Sequence, residues 1–524
     1  MKKFIAFAFL FGVSISFAQG VDLPEFVIKG VKKVSLPKIE KSKPDFIPPL
    51  SESYFKYKFK PEDFNVTYVP PVDTIITHPF LRGESYSGRI KLGGGLQTLP
   101  VGEAFYSASN DNLFFSVGAK GKSVKDYEPY SNRITGEGNF ELGYYTNHNA
   151  ETLPLTSITL KGNGDYFDGK FWASENPALQ RKGTRGALAL NFYNFSPDKY
   201  AVALNLYGNY LRLHNENFTE QTLDALGFFK YRFSAVKLKF DGEYRKQSVL
   251  LPDYNKYQYF GGKFLSEIKI GENFFVDFGA VLAFAGSDRL IFPTFGFKFS
   301  FAKYFLLTAG ISADAKYFTN YDLFKVNPYY SLNSFDYVFT REGSKVNIGL
   351  RFNYYNYIDA EINAYYGSLD GAMYFDDSAR KGIFDVRTTD DVTELGAKIN
   401  LNLLYSKFGY FSAEADFRDI RQYNGNVLPY SPGIILKGAY NIVLPYNLMF
   451  TLGANYFSHY YADLQNKRRI EPYVNLTAGV KYKFAENFKL FAEGNNLLNK
   501  NNFLLPGYQG TPFDIILGVE YFWK

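Results

Sequence analysis

The segment 513–523 constrains the fold more than any other stretch of the chain. Its odd-numbered residues are all apolar, whereas its even-numbered residues include a glycine and two acids. The odd set is Phe513, Ile515, Leu517, Val519, Tyr521 and Trp523, and the even set is Asp514, Ile516, Gly518, Glu520 and Phe522. Because successive side chains of a β-strand point to opposite faces, this alternation predicts a strand with one apolar face and one mixed face.

The same alternation recurs from residue 86 to the end of the chain. Segments 236–245, 345–354, 411–418 and 474–484 each confine their charged residues to one parity and their large apolar residues to the other. A charge on the lipid-facing side of a membrane barrel costs roughly 2–4 kcal/mol near the midplane. The separation therefore predicts an all-β fold, a transmembrane antiparallel β-barrel over residues 85–524.

The lengths of the segments and of their connections distinguish a barrel from a β-sandwich, which would also alternate. The alternating segments run for about ten to fourteen residues, whereas globular strands average about five or six. Short turns, as at 196–199, 271–273 and 485–487, contrast with longer polar loops. The predicted long loops are near 121–135, 168–184, 246–256, 369–390, 459–470 and 500–511. Short periplasmic turns and long extracellular loops are typical of outer-membrane barrels.

The number of strands follows from the length of the barrel region. At roughly twenty residues for a strand and its connection, and with the even numbers of bacterial barrels, residues 85–524 predict 18–22 strands, with 22 as the best value. The 44 tyrosines and 54 phenylalanines fit this interpretation, because a barrel needs an aromatic girdle at each membrane interface.

The N-terminal region differs from the barrel. Residues 1–18 combine two lysines, an apolar core and a small-residue cleavage site, which predicts a secretory signal peptide. Residues 19–84 are rich in proline and predict an irregular segment, either periplasmic or threaded through the lumen. This segment is too short for a globular plug, so the sequence predicts none.

The sequence does not support a catalytic site, a metal or cofactor site, or a nucleic-acid-binding surface. There is no cysteine, and the four histidines are isolated, so we expect no catalytic centre, no resident metal and no cofactor. The formal charge of +6 is too small and too evenly spread to indicate nucleic-acid binding. We therefore expect a protein that is not an enzyme.

A short motif follows the predicted cleavage site. Residues 21–30 resemble the TonB box of TonB-dependent outer-membrane receptors, with Glu25, Phe26, Val27 and Ile28 as its centre. Lys29 stands where that family commonly has threonine. The resemblance implies TonB as a candidate partner, which an extended segment can contact by adding a strand.

The end of the chain carries further resemblances. Gly518, Tyr521 and Trp523 resemble the signal by which the outer-membrane insertion machinery recognises its clients. Residues 495–499 with 505–507 are similar to the C-terminal region of TonB-dependent receptors, and 91–107 resembles the first hairpin of plugless receptor-like barrels. The resemblance implies a bacterial outer-membrane location, with lipid and lipopolysaccharide as surroundings.

Two sets of charged residues are candidates for contact with a solute. The predicted lumen-facing set is Lys237, Lys239, Asp241, Glu243, Arg245, Lys345 and Arg351, and the predicted extracellular set is Lys467, Arg468 and Arg469. The first set has a second interpretation as a structural ladder of ion pairs, and the second as a solvated loop. An acidic loop at 376–391 has calcium binding and a solvated surface as its two interpretations.

Three functions fit these observations. A receptor or transporter of the TonB-dependent type without a standard plug, which binds or imports an unknown solute, is the first. A passive porin-like channel and a non-transporting subunit of an outer-membrane assembly are the alternatives.

Overall fold

The computed structural model describes residues 87–110, 112–146, 153–196, 199–251, 253–332, 337–355, 357–405 and 409–523. The predicted signal peptide, the TonB box and the Pro-rich segment lie outside the described residues. Among the residues that are described, no helix is long and apolar enough to cross a membrane.

The fold is a closed antiparallel barrel of 22 strands, as predicted. The barrel strands follow one another around the ring in chain order, and the first strand pairs with the last. They are β1 (Gly88–Gly95), β2 (Thr98–Ser109), β3 (Leu113–Val124), β4 (Arg133–Tyr145), β5 (Thr156–Lys170), β6 (Gln180–Ser196), β7 (Tyr200–Leu213), β8 (Phe218–Phe233), β9 (Val236–Leu251), β10 (Asp253–Ile270), β11 (Phe274–Ala285), β12 (Asp288–Ala302), β13 (Phe305–Phe318), β14 (Val338–Tyr354), β15 (Ile358–Asp370), β18 (Val392–Tyr405), β19 (Gly409–Gln422), β20 (Ile434–Leu444), β21 (Leu448–Phe457), β24 (Tyr473–Ala485), β25 (Phe488–Asn495) and β28 (Asp514–Trp523).

Four smaller elements lie in the connections at one end of the barrel. The hairpins are β16 (Ala372–Asp376) with β17 (Asp385–Thr389), β22 (Tyr460–Tyr461) with β23 (Arg469–Ile470), and β26 (Phe503–Leu505) with β27 (Tyr508–Gln509). The described residues contain one α-helix, α1 (Asn320–Val326), between β13 and β14. All four elements lie at the end that carries the long loops, which is the extracellular end in this class of barrel.

The last strand shows the predicted alternation directly. Leu517 and Val519 are 59% and 41% exposed on the outer surface, whereas Glu520 and Phe522 are only 2% and 1% exposed on the inner surface. The outer surface of the other strands is equally apolar, with Leu188, Ile291, Ile348 and others exposed. An exposed apolar belt on a closed sheet is stable only against lipid, which places the barrel in the outer membrane.

Aromatic residues gather at the end of the barrel that carries the short turns. Phe301 stacks on Phe305, Tyr304 packs edge-on against Tyr354, and Tyr521 stacks on Trp523. These rings form the periplasmic aromatic girdle expected from the composition.

The connections agree with most of the predicted loops and correct one. Residues 246–256 are not a long loop, because β9 and β10 continue in register as far as Leu251 opposite Asp253. Both strands instead extend beyond the membrane at this point. Conversely, the longest connections include 319–337 and 423–433, which the loop prediction omitted.

Gly518 lies at the seam where β28 meets both of its neighbours. A Cβ atom built on Gly518 would lie 2.2 Å from the carbonyl oxygen of Leu92 on β1 and 2.4 Å from the ring of Phe491 on β25. The first of these contacts is with backbone, which cannot move without displacing the closing strand.

We predict that Gly518→Val prevents stable closure of the barrel, because the added side chain must separate β28 from β1. Gly208→Val is the matched control, since nothing lies within 4 Å of a Cβ atom at this outward-facing position of β7. The measurement is the heat-dependent shift of the folded barrel on a denaturing gel. A normal shift for Gly518→Val would show that the seam tolerates the added side chain.

Candidate functional site: the loop cap and the lumen wall

The long loops fold together over the extracellular mouth of the barrel. We call this structure the loop cap and define it as the described residues of 171–179, 319–332, 371–391, 423–433, 458–472 and 496–513. Its apolar core contains residues from all six loops. The buried side chains include Phe171, Leu323, Tyr329, Tyr330, Phe375, Phe384, Tyr430, Tyr460 and Tyr508.

Contacts between aromatic rings join the loops to one another. Tyr329 stacks on Tyr508 with ring centroids 3.8 Å apart, and Phe171 packs edge-on against Tyr329 at 5.8 Å. Phe384 lies 6.1 Å from Tyr508 and 6.3 Å from Tyr430. Such pairs add about 0.5–1.5 kcal/mol each beyond the area that they bury. The loops are therefore packed as a core and do not merely lie beside one another.

The positions of three loops around the ring show where the core lies. The loops that contribute Phe171, Tyr329 and Tyr508 are separated by eight, eight and six barrel strands. A barrel of this size is about 40 Å across. Loops anchored about a third of the ring apart can touch only near its middle, so the loop cap crosses the mouth.

The backbones of three loops approach one another closely around Ala173. A Cβ atom on Gly382 would lie 2.7 Å from the carbonyl carbon of Ala173, and a Cβ atom on Gly507 would lie 2.9 Å from the Cβ atom of Ala173. Both glycines have positive φ angles, +71° and +80°, which favour glycine. The Tyr508 hydroxyl also donates to the carbonyl of Gly382 at 2.8 Å.

The buried carboxylate of Glu220 anchors the loop that contains α1. Glu220, on β8, accepts hydrogen bonds from the backbone N–H groups of Asn320 at 3.1 Å and Tyr321 at 2.8 Å, and from the Asn320 side chain at 2.9 Å. Gln247 on β9 donates to the same carboxylate at 2.7 Å. A carboxylate at the start of a helix is stabilised by the free N–H groups there, so the barrel wall itself holds α1.

Two arginines provide further connections between the wall and the loop cap. Arg181 on β6 donates to the carbonyls of Pro328 at 2.7 Å and Tyr330 at 2.8 Å, and its guanidinium lies over the Phe171 ring. Arg245 on β9 forms ion pairs with Asp224 on β8 at 3.0 Å and with Asp322 of α1 at 3.1 Å. Each arginine binds several acceptors at once, which fixes the orientation of the loop.

Burial also keeps the phenols of the loop cap neutral. Desolvation raises the pKa of Tyr329 to about 12, and burial raises the pKa values of Tyr330, Tyr460 and Tyr508. A raised phenol pKa means that the folded loop cap is favoured below pH 10 and loses this contribution as the pH rises toward 12.

Each predicted lumen-facing charge lies in an ion pair. Glu267 contacts both Lys237 and Lys298, the latter at 2.7 Å, and Lys345 lies between Glu342 at 2.9 Å and Glu394 at 3.4 Å. The remaining pairs are Lys239 with Asp241 at 3.0 Å, Arg245 with Glu243 at 3.7 Å and Arg351 with Asp359 at 3.0 Å. Contact of these groups with a solute stays a prediction, and their pairing favours the structural ladder.

The three predicted extracellular basic residues have different surroundings. Arg468 forms an ion pair with Asp377 of the loop 371–391 at 2.6 Å. Arg469 lies 3.9 Å from the exposed Glu471, and the Lys467 backbone N–H donates to Asp463 at 3.1 Å. All three side chains are exposed, and Arg468 connects two loops of the cap.

The acidic loop is held by arginines within the described residues. Asp376 pairs with Arg387 at 3.1 Å and Asp385 with Arg380 at 3.0 Å. Across the described part of the chain, no group of three or more His, Asp or Glu side chains could hold a metal ion.

Some of the other predicted residues lie within the described part of the chain, and others lie outside it. Gly518, Tyr521 and Trp523 lie on β28 at the seam, and their recognition by the insertion machinery stays a prediction. Glu25, Phe26, Val27 and Ile28 lie outside the described residues, as do His78 and His148.

Sequence reasoning missed the residues that build the loop cap. The membrane girdles account for only part of the aromatic excess, because Tyr329, Tyr508 and Phe384 belong to the loop cap. A usable signal was present, because aromatic residues at 171–172, 384 and 508 occur in segments predicted to be polar loops. Large aromatics in solvated loops indicate that the loops have a core of their own.

We predict that Tyr508→Ala opens the loop cap, because it removes both the ring stacked on Tyr329 and the hydrogen bond to Gly382. Loss of a buried aromatic side chain costs about 3–5 kcal/mol. Tyr508→Phe is the control and should cost about 1 kcal/mol, since only the hydrogen bond is lost. The measurement is protease cleavage within 371–391 and 496–513 in purified barrels. Equal protection of Tyr508→Ala and the native protein would contradict the role of this stack.

The barrel is similar to several solved structures, although no protein-family model and no curated protein match the sequence. The FrpB iron transporter from Neisseria meningitidis has a TM-score of 0.64 at 12% identity, over 84% of this chain and 82% of that one. A mutant of the ferric enterobactin receptor PfeA from Pseudomonas aeruginosa has a TM-score of 0.61 at 11% identity, over 84% and 80%. The copper transporter OprC has a TM-score of 0.59 at 13% identity, over 83% and 79%. The 22-stranded barrel predicted from the strand pattern is therefore confirmed, and its fold is similar to the barrels of these transporters and receptors, in agreement with the resemblance to TonB-dependent receptors.

Proposed function

We propose that the protein captures a solute at the extracellular face and imports it across the outer membrane. The observation that carries this proposal is the loop cap, whose core crosses the mouth of a barrel wide enough for a large solute. A passive pore works with an open mouth. A packed core over the mouth instead suits a protein that binds its solute before admitting it.

The solute class is suggested by the structural neighbours. Their names specify iron, ferric enterobactin and copper. Because solutes of this kind are scarce, the advantage of binding the solute before transport outweighs the free energy needed to move the loops. Iron-loaded chelators and copper are therefore the first solutes to test.

Opening the loop cap requires a source of free energy. The core contains nine buried aromatic side chains from the loops, and a fully buried large apolar side chain stabilises by roughly 1.5–3 kcal/mol. Binding of a solute can offset part of this cost, and an energised partner can supply more. We infer that TonB is this partner and that it binds the motif Glu25–Ile28 by strand addition through backbone hydrogen bonds.

We predict that Val27→Pro abolishes energised uptake, because proline removes one backbone donor and fixes φ in the segment that would pair with the partner. Val27→Ala is the control, since it keeps the N–H group. The measurement is uptake of iron-chelate or copper by cells that contain equal amounts of folded barrel. Uptake that is unchanged in Val27→Pro would remove TonB from the proposal.

The passive channel is the second candidate, favoured by the width of a 22-stranded ring. Conductance of the purified protein in a planar bilayer separates the two functions. A capped transporter should show little steady conductance, and a persistently open pore would contradict the import proposal.

We predict that a cross-link between two loops of the cap stops import. Replacing Ser331 and Asp385 by cysteine puts a thiol on each of two loops, directly after the bridge between Tyr330 and Phe384, where both native side chains accept from the guanidinium of Arg380. Paired backbones about 4.8 Å apart lie within the Cα spacing of roughly 4.4–6.8 Å that a disulfide needs. The chain has no cysteine of its own, so the engineered pair is the only one present. Uptake should fall on oxidation and return on reduction.

The two single-cysteine variants are the controls for this experiment, because they carry the same side chains without a cross-link. If the oxidised double variant imports its solute at the native rate, the loop cap does not need to open and the proposed route is wrong.

A further inference from the structure

The ladder between β12 and β13 ends halfway up the barrel wall. Counted from the periplasmic end, its last pair is Phe295 opposite Ile311, although both strands continue beyond this pair. On β12 the unpaired stretch runs from residue 294 back to Asp288, and on β13 it runs from residue 312 to Phe318. The two strands therefore separate in the extracellular half of the wall, while the periplasmic half of the ring stays closed.

Beyond this separation, β13 lies on the lumen side of its neighbours. Odd-numbered residues of β13 face lipid as far as Ile311, which is 36% exposed. The residues of the same parity above it are buried, since Ala313 and Tyr317 are only 3% and 7% exposed. Tyr317 stacks on the lumen-facing ring of Tyr259 on β10, with ring centroids 5.4 Å apart. The lipid-side face of β13 thus packs against the lumen face of the wall.

Two hydrogen bonds to β9 show how far the strands overlap. The Tyr317 hydroxyl donates to Gln247 of β9 at 2.6 Å, and Arg245 of β9 donates to the Tyr317 carbonyl at 3.1 Å. β9 and β13 are four strands apart around the ring. In a continuous wall, four spacings of about 4.8 Å would separate them by about 19 Å. The upper part of β13 must therefore lie over the inner face of β10, β11 and β12.

A β-bulge in β14 marks the point at which this part of the sheet leaves the wall. Glu342 and Ser344 of β14 pair with the consecutive residues Leu369 and Ser368 of β15, which leaves Gly343 as the extra residue. A bulge bends its strand and increases the local twist. The bend directs the upper part of β13 and β14 into the lumen. We call this part the rim flap and define it as residues 313–318 and 337–342.

Side chains fill the space between the rim flap and the wall. Tyr337 of the rim flap packs on Tyr257 of β10, with ring centroids 5.2 Å apart. The apolar cluster between the two layers also contains Val281, Ala283, Ala285, Leu290, Ala313 and Phe339. No ladder pair joins β13 to β12 across this interface. A backbone ladder fixes the register of two strands, whereas packed apolar faces can shift relative to each other.

The rim flap is continuous with the loop cap. Val338 belongs to the apolar core of the loop cap, and Phe318 packs against that core. The helix α1 begins at Asn320, directly after β13. Movement of these parts of the loop cap is therefore transmitted to the rim flap.

We propose that the rim flap slides across the inner face of β10–β12 when the loop cap opens, so that the mouth of the barrel widens. This inference rests on the import through the mouth that is proposed above. In a rim closed by a ladder, widening would break a row of backbone hydrogen bonds. Here the ladder below Phe295 and Ile311 keeps the ring closed in the membrane, and the overlapping layers above it change the circumference of the mouth.

The first test measures the sliding directly. Spin labels on Ile291→Cys of β12 and Lys316→Cys of the rim flap report the distance across the overlap, since the chain has no other cysteine. The distance is compared with and without Tyr508→Ala, which should open the loop cap. We expect it to change by at least one strand spacing, about 4.8 Å.

Labels on Ile291→Cys and Phe264→Cys are the control for this measurement, because both positions lie on the continuous wall and face lipid. Their distance should stay constant. If protease cleavage shows an open loop cap while the distance between positions 291 and 316 is unchanged, the sliding movement is disproved.

The second test joins the two layers. Tyr259→Cys with Tyr317→Cys, linked by a short bifunctional thiol reagent, attaches the rim flap to the wall. Tyr317→Cys with Tyr337→Cys is the matched control, because these rings are also stacked, 5.2 Å apart, but both belong to the rim flap. We expect the link across the overlap to lower solute uptake at least tenfold relative to the unlinked variant, and the control link to leave uptake unchanged.

The outcomes separate this inference from the proposed import. Equal uptake after both links overturns the sliding rim flap and leaves import through the mouth standing. Absence of uptake by the native protein counts against import instead, and the label distances then decide whether the rim flap moves. Normal heat-dependent mobility on a denaturing gel shows that the variants compared are folded barrels.

Discussion

Closure of the sheet through the pairing of β1 with β28 is the constraint on which the structure depends. In lipid, an unpaired strand edge leaves backbone N–H and C=O groups without partners, at several kcal/mol each. The pairing from Gly88 opposite Trp523 to Gly95 opposite Ile516 satisfies both edges at once. Glycines on β1 and at position 518 allow the backbones and the Phe491 ring to approach closely at this seam. Closure of the barrel fixes the positions of the strands. The ends of every loop and the positions of the lumen-facing side chains are then fixed as well.

The wall of the barrel was predictable from the sequence because its physical rule is local. Lipid on one side and a polar lumen on the other impose a period of two, and each strand shows it without reference to any other strand. The rule fails only where a strand leaves the membrane. At 246–256 polar and apolar residues occur on both parities because β9 and β10 project beyond the bilayer, so the sequence predicts a loop where the strands continue.

The loop cap was not predictable in the same way, since its contacts join residues far apart in the chain. Tyr329 and Tyr508 stack although 179 residues separate them, and Glu220 binds the start of α1 from a strand 100 residues earlier. No periodic pattern encodes such pairs. The ion pairs of the lumen wall were predictable only in part. Parity predicted which side chains face inward, but only the register of neighbouring strands determines that Glu267 falls between Lys237 and Lys298.

The way in which the loop cap is assembled has a consequence for biogenesis. Its core draws on six loops, and each loop returns to the wall before the next begins, so no single loop buries its own aromatic residues. The core can form only after all the hairpins stand in their final order around the ring. Until then, the side chains of Phe171, Phe384 and Tyr508 remain exposed to solvent. Exposed apolar side chains promote aggregation, so periplasmic chaperones must cover them. Maturation of this protein should therefore end outside the cell, with the covering of the mouth as its final step.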